Sequence, residues 1–226
     1  MNPQDIYAQL TPDVQHQLRR YSELLAYENE YARLTGPQKP HIIMKDHVLD
    51  CLPLALALER GPVVDLGSGG GLPGIVCAIV RPELTFALID SVAKKVAALQ
   101  RMIGALGLTN LLAFATRSED FARERRESFA TATARAVTSL PELGELISPL
   151  LSLGGTMLVM KGPRWQEEGL SAQGRWGHLG LSEPTAVTYE FEGGARALVR
   201  LEKIAPCPAK YPRRAGMATK RSWTLC

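Results

Sequence analysis

Residues 63–76 read V-V-D-L-G-S-G-G-G-L-P-G-I-V. A short apolar run enters a cluster of glycines, and a proline opens the next segment. Glycine has no Cβ, so such a turn lets backbone approach a ligand closely. A strand that ends in a glycine turn and passes into a helix is the opening unit of a doubly wound α/β sheet. The chain keeps that rhythm. Strand-like runs at 84–89, 111–115, 129–134 and 156–160 alternate with helical segments, notably 92–106 and 140–151. Alternation with short connections predicts a mostly parallel sheet with helices on both faces. Near the end, runs at 186–191 and 195–201 join through Glu192-Gly193-Gly194, a hairpin signal. The expected sheet therefore has seven strands and closes in an antiparallel hairpin.

Upstream of residue 62 there is no strand signal. Leu18, Tyr21, Leu24, Leu25 and Tyr31 recur at helical spacing over 11–34, with Thr11-Pro12 as the start and Thr35-Gly36-Pro37 as the break. A second helix is expected over 41–59, ending at Gly61-Pro62. The chain divides into a helical N-terminal unit (1–60), the α/β domain (61–205) and a basic tail (206–226).

The glycine turn satisfies two patterns. Gly69, Gly71 and Gly74 fit G-x-G-x-x-G, the dinucleotide fingerprint. Asp65, Gly67, Gly69 and Gly71 fit D-x-G-x-G-x-G, a turn used for S-adenosylmethionine. A pyrophosphate at the helix N-terminus would be repelled by Asp65. S-adenosylmethionine carries a sulfonium and an ammonium, and a carboxylate suits both. Asp65 thus favours the second ligand. Pro73 fits a helix starting near Leu72-Pro73. Asp90, at the end of the second strand, suits ribose hydroxyls under either pattern.

Bulk composition narrows the class. The 226 residues are 46% hydrophobic and 22% charged, an ordinary globular balance, and the net charge is only +3. Basic residues gather at the end: after Glu202 come Lys203, Lys210, Arg213, Arg214, Lys220 and Arg221 with no acid. Cys51, Cys77, Cys207 and Cys226 form no C-x-x-C, which argues against a disulfide framework or a zinc site and fits a reducing cytosol. The N-terminus lacks a secretory signature, and no apolar run nears the ~20 residues of a membrane span. A cytoplasmic protein is expected, without a metal.

The longer motifs resemble one family. D-L-G-S-G-G-G-L-P-G-I, L-I-D-S-V-A-K-K-V-A-A-L, R-S-E-D-F (117–121), T-A-R-A-V (133–137) and M-K-G (160–162) are similar to the RsmG family, also called glucose-inhibited division protein B. The resemblance covers roughly residues 20–162. It implies a class I (Rossmann-like) methyltransferase that uses S-adenosylmethionine on N7 of a guanine in 16S ribosomal RNA, free or in the 30S particle. It further implies that Gly67 and Leu72 contact the cofactor, that Asp90 holds its ribose, and that Ser118 and Glu119 sit at its adenine. Arg135 matches the arginine that ends the fourth strand. His47 and Asp50 match a His-x-x-Asp-Ser element, with Cys51 in place of Ser.

From these residues the cofactor site is expected to comprise Asp65, Gly67, Gly69, Leu72, Asp90, Ser118, Glu119 and Arg135, the last also the candidate catalytic residue. Arg135 faces either the cofactor carboxylate or an RNA phosphate; the bland alternative is a salt bridge to Asp65 or Glu119. Lys161 and the tail residues Lys210, Arg213, Arg214, Lys220 and Arg221 are the RNA-binding candidates, with Tyr211 and Trp223 placed for stacking. Guanine N7 has an in-plane lone pair and no proton, so transfer needs no general base, and the guanine is expected in a loop or splayed from its helix. Two alternatives share the motifs: an NAD-dependent oxidoreductase and a non-catalytic RNA-binding assembly factor.

Overall fold

The computed structural model describes residues 2–36 and 39–225; Pro37 of the expected helix break and Cys226 lie outside them. Seven strands form a single sheet in the order β3-β2-β1-β4-β5-β7-β6. They are β1 (Val63–Leu66), β2 (Phe86–Asp90), β3 (Leu111–Ala115), β4 (Phe129–Arg135), β5 (Leu151–Lys161), β6 (Thr185–Phe191) and β7 (Gly194–Glu202). The first five run parallel, and β7 returns antiparallel between β5 and β6. The doubly wound sheet and its hairpin stand as expected. The hairpin turns on Glu192 and Gly193, both with positive φ, as a two-residue type I′ turn requires.

Side chains alternate across each strand, and the two faces make two cores. Val63, Leu88, Leu158 and Leu198 pack with the N-terminal helices and with α5 (Gly74–Val80) and α6 (Ala93–Leu106). Val64, Leu66, Ile89 and Val159 pack with α7 (Ser118–Glu124), α8 (Leu140–Ile147) and the C-terminal residues Cys207, Tyr211 and Trp223. Both terminal segments are therefore built into the cores of the sheet.

The N-terminal helices are α1 (Pro3–Gln9), α2 (Pro12–Ala32) and a composite run from Pro40 to Ala57. The Asn2 side chain caps α1 and Thr11 caps α2, each followed by proline at the first helical position. The expected second helix is broken: α3 (Pro40–Ile43) and α4 (Leu52–Ala57) are joined by a π turn (Met44–Val48) and a 3-10 turn (Leu49–Cys51). Pro53 has no N–H to give the ladder, and the wide turn is the part that carries His47. Two contacts tie α2 to the ligand end of the sheet: Tyr21 donates from its hydroxyl to the Gly70 carbonyl at 2.8 Å, and Arg101 of α6 pairs bidentately with Glu28.

Candidate functional site

The carboxyl ends of β1 to β5 meet at one edge of the sheet, where open α/β sheets bind ligands. At β1 the chain turns through Gly67, Gly69 and Gly71, all with positive φ. A Cβ on Gly67 would stand 2.7 Å from Val137 Cγ2, and one on Gly71 2.5 Å from Ile75. Glycine is required here by both conformation and space. The Gly69 amide donates to Asp90 Oδ2 at 3.0 Å, and the Val92 amide donates to Asp90 Oδ1 at 2.9 Å. Asp90 thus fastens the turn to the entry of α6 and still has lone pairs for a ligand.

Asp65 points elsewhere. It lies on the Val63 face of β1, fully buried, where it accepts from Thr133 Oγ1 (2.9 Å) and the Gly74 amide (3.3 Å). Burial pushes its carboxyl up to about 6 against these hydrogen bonds. The expectation that Asp65 touches the ligand is corrected: it supports the turn from beneath. Leu72, 7% exposed, packs in the core with Ile75 and Leu99 rather than lining the site. The helix after the turn starts at Gly74, one position later than expected, with Pro73 as its cap residue.

Two cavities share Val137 and Thr138. The first, about 280 Å³, is lined by Gly67, Asp90, Arg117, Ser118, Glu119 and also by Gly216, Ala218 and Thr219 of the C-terminal segment. Glu119 is buried; it accepts from Ser118 Oγ at 3.2 Å and from the Gly216 amide at 2.9 Å. The second, about 550 Å³, is lined by His47, Asp50, Arg135, Met160, Lys161 and Arg196 among others. Ala136 links them with positive φ, turning the chain sharply off β4.

Asp50 is the anchor of the larger cavity. Its carboxylate lies 3.4 Å from both Arg135 Nη1 and Arg196 Nε, and Tyr189 donates to its backbone carbonyl. The partner of Arg135 is therefore Asp50 of the N-terminal helices, not Asp65 or Glu119. Arg135 also donates from Nη1 to the His47 carbonyl at 3.5 Å. No hydrogen bond among the described residues engages its Nε or Nη2. Burial and the neighbouring Arg135 lower the His47 pKa, so its ring is neutral at pH 7. Burial also raises the Cys51 thiol to about 12, which leaves it unreactive.

The structure brings Gly67, Asp90, Ser118 and Glu119 into one cleft and Arg135, Lys161, His47 and Asp50 into the other. The sequence put Arg135 with the cofactor residues and Lys161 with the basic tail, and it missed Val137, Thr138, Arg196 and the C-terminal lining. Val137 and Thr138 had a signal, since they follow the strand that ends at Arg135. Arg196 had none: it belongs to the hairpin. The tail candidates divide. Lys210, Arg214, Lys220 and Arg221 are exposed, whereas Arg213 pairs bidentately with buried Glu145 at 2.6–2.7 Å. Tyr211 and Trp223 are buried, so they are not available for stacking on bases. Lys161 is neutralised by Glu168 at 2.5 Å and donates to the Thr138 carbonyl.

A family model for rRNA small subunit methyltransferase G matches residues 14–193. The chain belongs to this family. A relative of that name from Moorella thermoacetica is 36% identical over 94% of this chain and 91% of its own. Another, from Thermotoga sp. (strain RQ2), is 42% identical over 79% of this chain and 78% of its own. Among solved structures, a 16S rRNA (adenine(1408)-N(1))-methyltransferase from Catenulisporales acidiphilia, determined with its cosubstrate SAM, superposes with a TM-score of 0.53. That match is 14% identical and covers 69% of this chain and 91% of the other. A predicted O-methyltransferase from Agrobacterium tumefaciens gives 0.55 at 17% identity, over 69% and 81%. These two likenesses establish the α/β methyltransferase fold.

The protein is an S-adenosylmethionine-dependent methyltransferase of small-subunit rRNA. Its cleft fits that cofactor. Asp90 and Glu119 are carboxylates suited to hydroxyl and amine hydrogens, whereas a pyrophosphate would meet both acids with Arg117 as the only lining cation among the described residues. This lining disfavours the oxidoreductase alternative, and membership of a methyltransferase family disfavours the non-catalytic one. Among the described residues no cluster of His, Cys, Asp and Glu could hold a metal ion, and no helix is long and apolar enough to cross a membrane.

Proposed function

We propose that the chain methylates N7 of a guanine in 16S rRNA, with the cofactor in the smaller cavity and the base entering the larger one. The observation that carries this reading is the junction of the two cavities at Val137 and Thr138. A donor in one and an acceptor in the other would meet there, beyond the ends of β1 and β4.

When bound, S-adenosylmethionine supplies an electrophilic methyl group on sulfonium. The residues of the chain hold and align. Asp90 would take the ribose hydroxyls while keeping the Gly69 and Val92 amides. Ser118 and Glu119 would sit at the adenine. Gly67 and Arg135 stand at adjacent strand ends, since Leu66 pairs with Ala134. The open donors of Arg135 suit the methionine carboxylate, in the bidentate geometry that guanidinium favours.

Guanine N7 offers a lone pair and no proton, so no residue needs to act as a base. The charged groups of the larger cavity are already paired, Asp50 with two arginines and Lys161 with Glu168, and the neutral His47 beside them has no proton to take from N7. The contribution left to the protein is alignment in a site shielded from water. Lys210, Arg214, Lys220 and Arg221 are exposed and suit contacts to RNA phosphates. We place this reaction in the bacterial cytoplasm. The test is incorporation of labelled methyl from S-adenosylmethionine into 16S rRNA, naked and within 30S particles. Incorporation into one or both supports the reading, and label in neither refutes it.

A further inference from the structure

The family model ends at residue 193, yet one wall of the cofactor cleft comes from beyond it. After β7 the chain crosses to the α7–α8 side and is tied down repeatedly. Arg126 donates to the carbonyls of Cys207, Pro208 and Tyr211. Arg213 donates from its backbone amide and its guanidinium to Glu145, which is 1% exposed, and from Nη2 to the Arg221 carbonyl at 2.6 Å. Trp223 is buried edge-on against Trp176 and donates from Nε1 to the Pro141 carbonyl at 2.7 Å. Between these anchors the Gly216 amide donates to Glu119, and Gly216, Ala218 and Thr219 line the cleft.

Glu119 is the point of contact. One of its oxygens is committed to the strap at Gly216, and the other takes Ser118 Oγ. The strap therefore fixes the orientation of a carboxylate that the proposed cofactor reading places at the adenine. Gly216 has φ +76, and a Cβ there would meet nothing within 4 Å, so its glycine serves the backbone turn that aims the amide.

We infer that the C-terminal strap is a wall of the cofactor site: Thr219 shapes the cleft, and Gly216, with Arg213 as its anchor, positions Glu119 for the adenosine end of the ligand. This rests on the reading of the cleft as the cofactor site. It gives the tail a role toward the cofactor, separate from any contact its exposed cations make with RNA.

The test is calorimetric titration of the full chain with S-adenosylmethionine and S-adenosylhomocysteine. Thr219→Phe fills the cleft from an exposed position, and Ala209→Phe adds the same bulk to the strap away from the lining. Thr219→Phe is expected to weaken both ligands tenfold or more with an unchanged unfolding midpoint, while Ala209→Phe binds like the parent. Saturating S-adenosylhomocysteine is expected to slow tryptic cleavage after Arg214 and Lys220 several-fold. Parent-like affinity of Thr219→Phe, with cleavage unaffected by a ligand that the parent binds, overturns the strap proposal alone. Failure of the parent to bind either ligand overturns the cleft assignment and the strap with it.

Discussion

Replacing Asp65 by Asn separates the charge beneath the glycine turn from its shape. The folded carboxyl is raised from 3.8 to about 6 by burial, so the folded state holds its proton more tightly than the unfolded chain. Its ionisation cost is absent at pH 4, grows as pH rises toward 6, and is complete above that. At 1.36 kcal/mol per unit the charge costs about 3 kcal/mol at neutral pH. The side chain is fully buried, so solvent screening takes little from that figure. Asn removes the charge but turns an amide toward the Gly74 N–H, which loses about 1–2 kcal/mol at every pH. Asp65→Asn should therefore be the less stable protein at pH 4 and the more stable by about 1–2 kcal/mol at pH 7.5. Urea unfolding of both proteins across this range measures it. A stability difference that does not vary with pH would show that the buried charge is not as described. Affinity should move the other way. A unit charge pair about 10 Å apart at an effective dielectric of about 20 is worth about 1.7 kcal/mol. The variant should then lose on the order of tenfold in affinity for the sulfonium ligand relative to the uncharged thioether S-adenosylhomocysteine. Equal losses for the two ligands refute the electrostatic role.

Gly67→Ala should weaken S-adenosylmethionine at least tenfold by driving a methyl into Val137, and the added change Val137→Ala should restore part of the loss; calorimetry of both variants decides, and equal affinities exclude the steric cause. Arg135→Lys should keep the fold, lose most methyl transfer and raise the dissociation constant for S-adenosylmethionine about tenfold, because lysine cannot hold Asp50 and a carboxylate together. If cofactor affinity holds while RNA binding falls, Arg135 serves the substrate instead. Changing Lys210, Arg214, Lys220 and Arg221 to Gln should weaken 16S rRNA binding and flatten its salt dependence without altering cofactor affinity. An unchanged salt slope removes these four from the RNA surface.

The regular parts of this fold are written locally. Strand alternation, the Thr11-Pro12 start and the glycine turn each depend on neighbours a few positions away, and these were legible. β5 shows the limit: the expected strand covers only 156–160 after a helical segment to 151, yet the strand runs from Leu151 through an irregularity with Gly154 at φ +74. The site is harder because its charges find partners far along the chain. Asp50 meets Arg135 across 85 positions, Glu145 meets Arg213 across 68, and Trp223 meets Pro141 across 82. Nothing in local spacing distinguishes an arginine paired in this way from one left for RNA. Asp65 is a different case. Its place one step from Val64 and two from Val63 already put it on the Val63 face of β1, under the N-terminal helices, so strand periodicity alone could have corrected its assignment.

The central claim, direct transfer to guanine N7 across the shared wall at Val137 and Thr138, is tested most directly on the product. Modified 16S rRNA is digested to nucleosides and the methylated species identified by mass spectrometry against standards. The expected product is 7-methylguanosine. A methyl on an exocyclic amine, on a ring nitrogen that must lose a proton, or on the ribose would require a base, a role that would fall to the neutral His47 of the larger cavity, and would contradict direct transfer to N7.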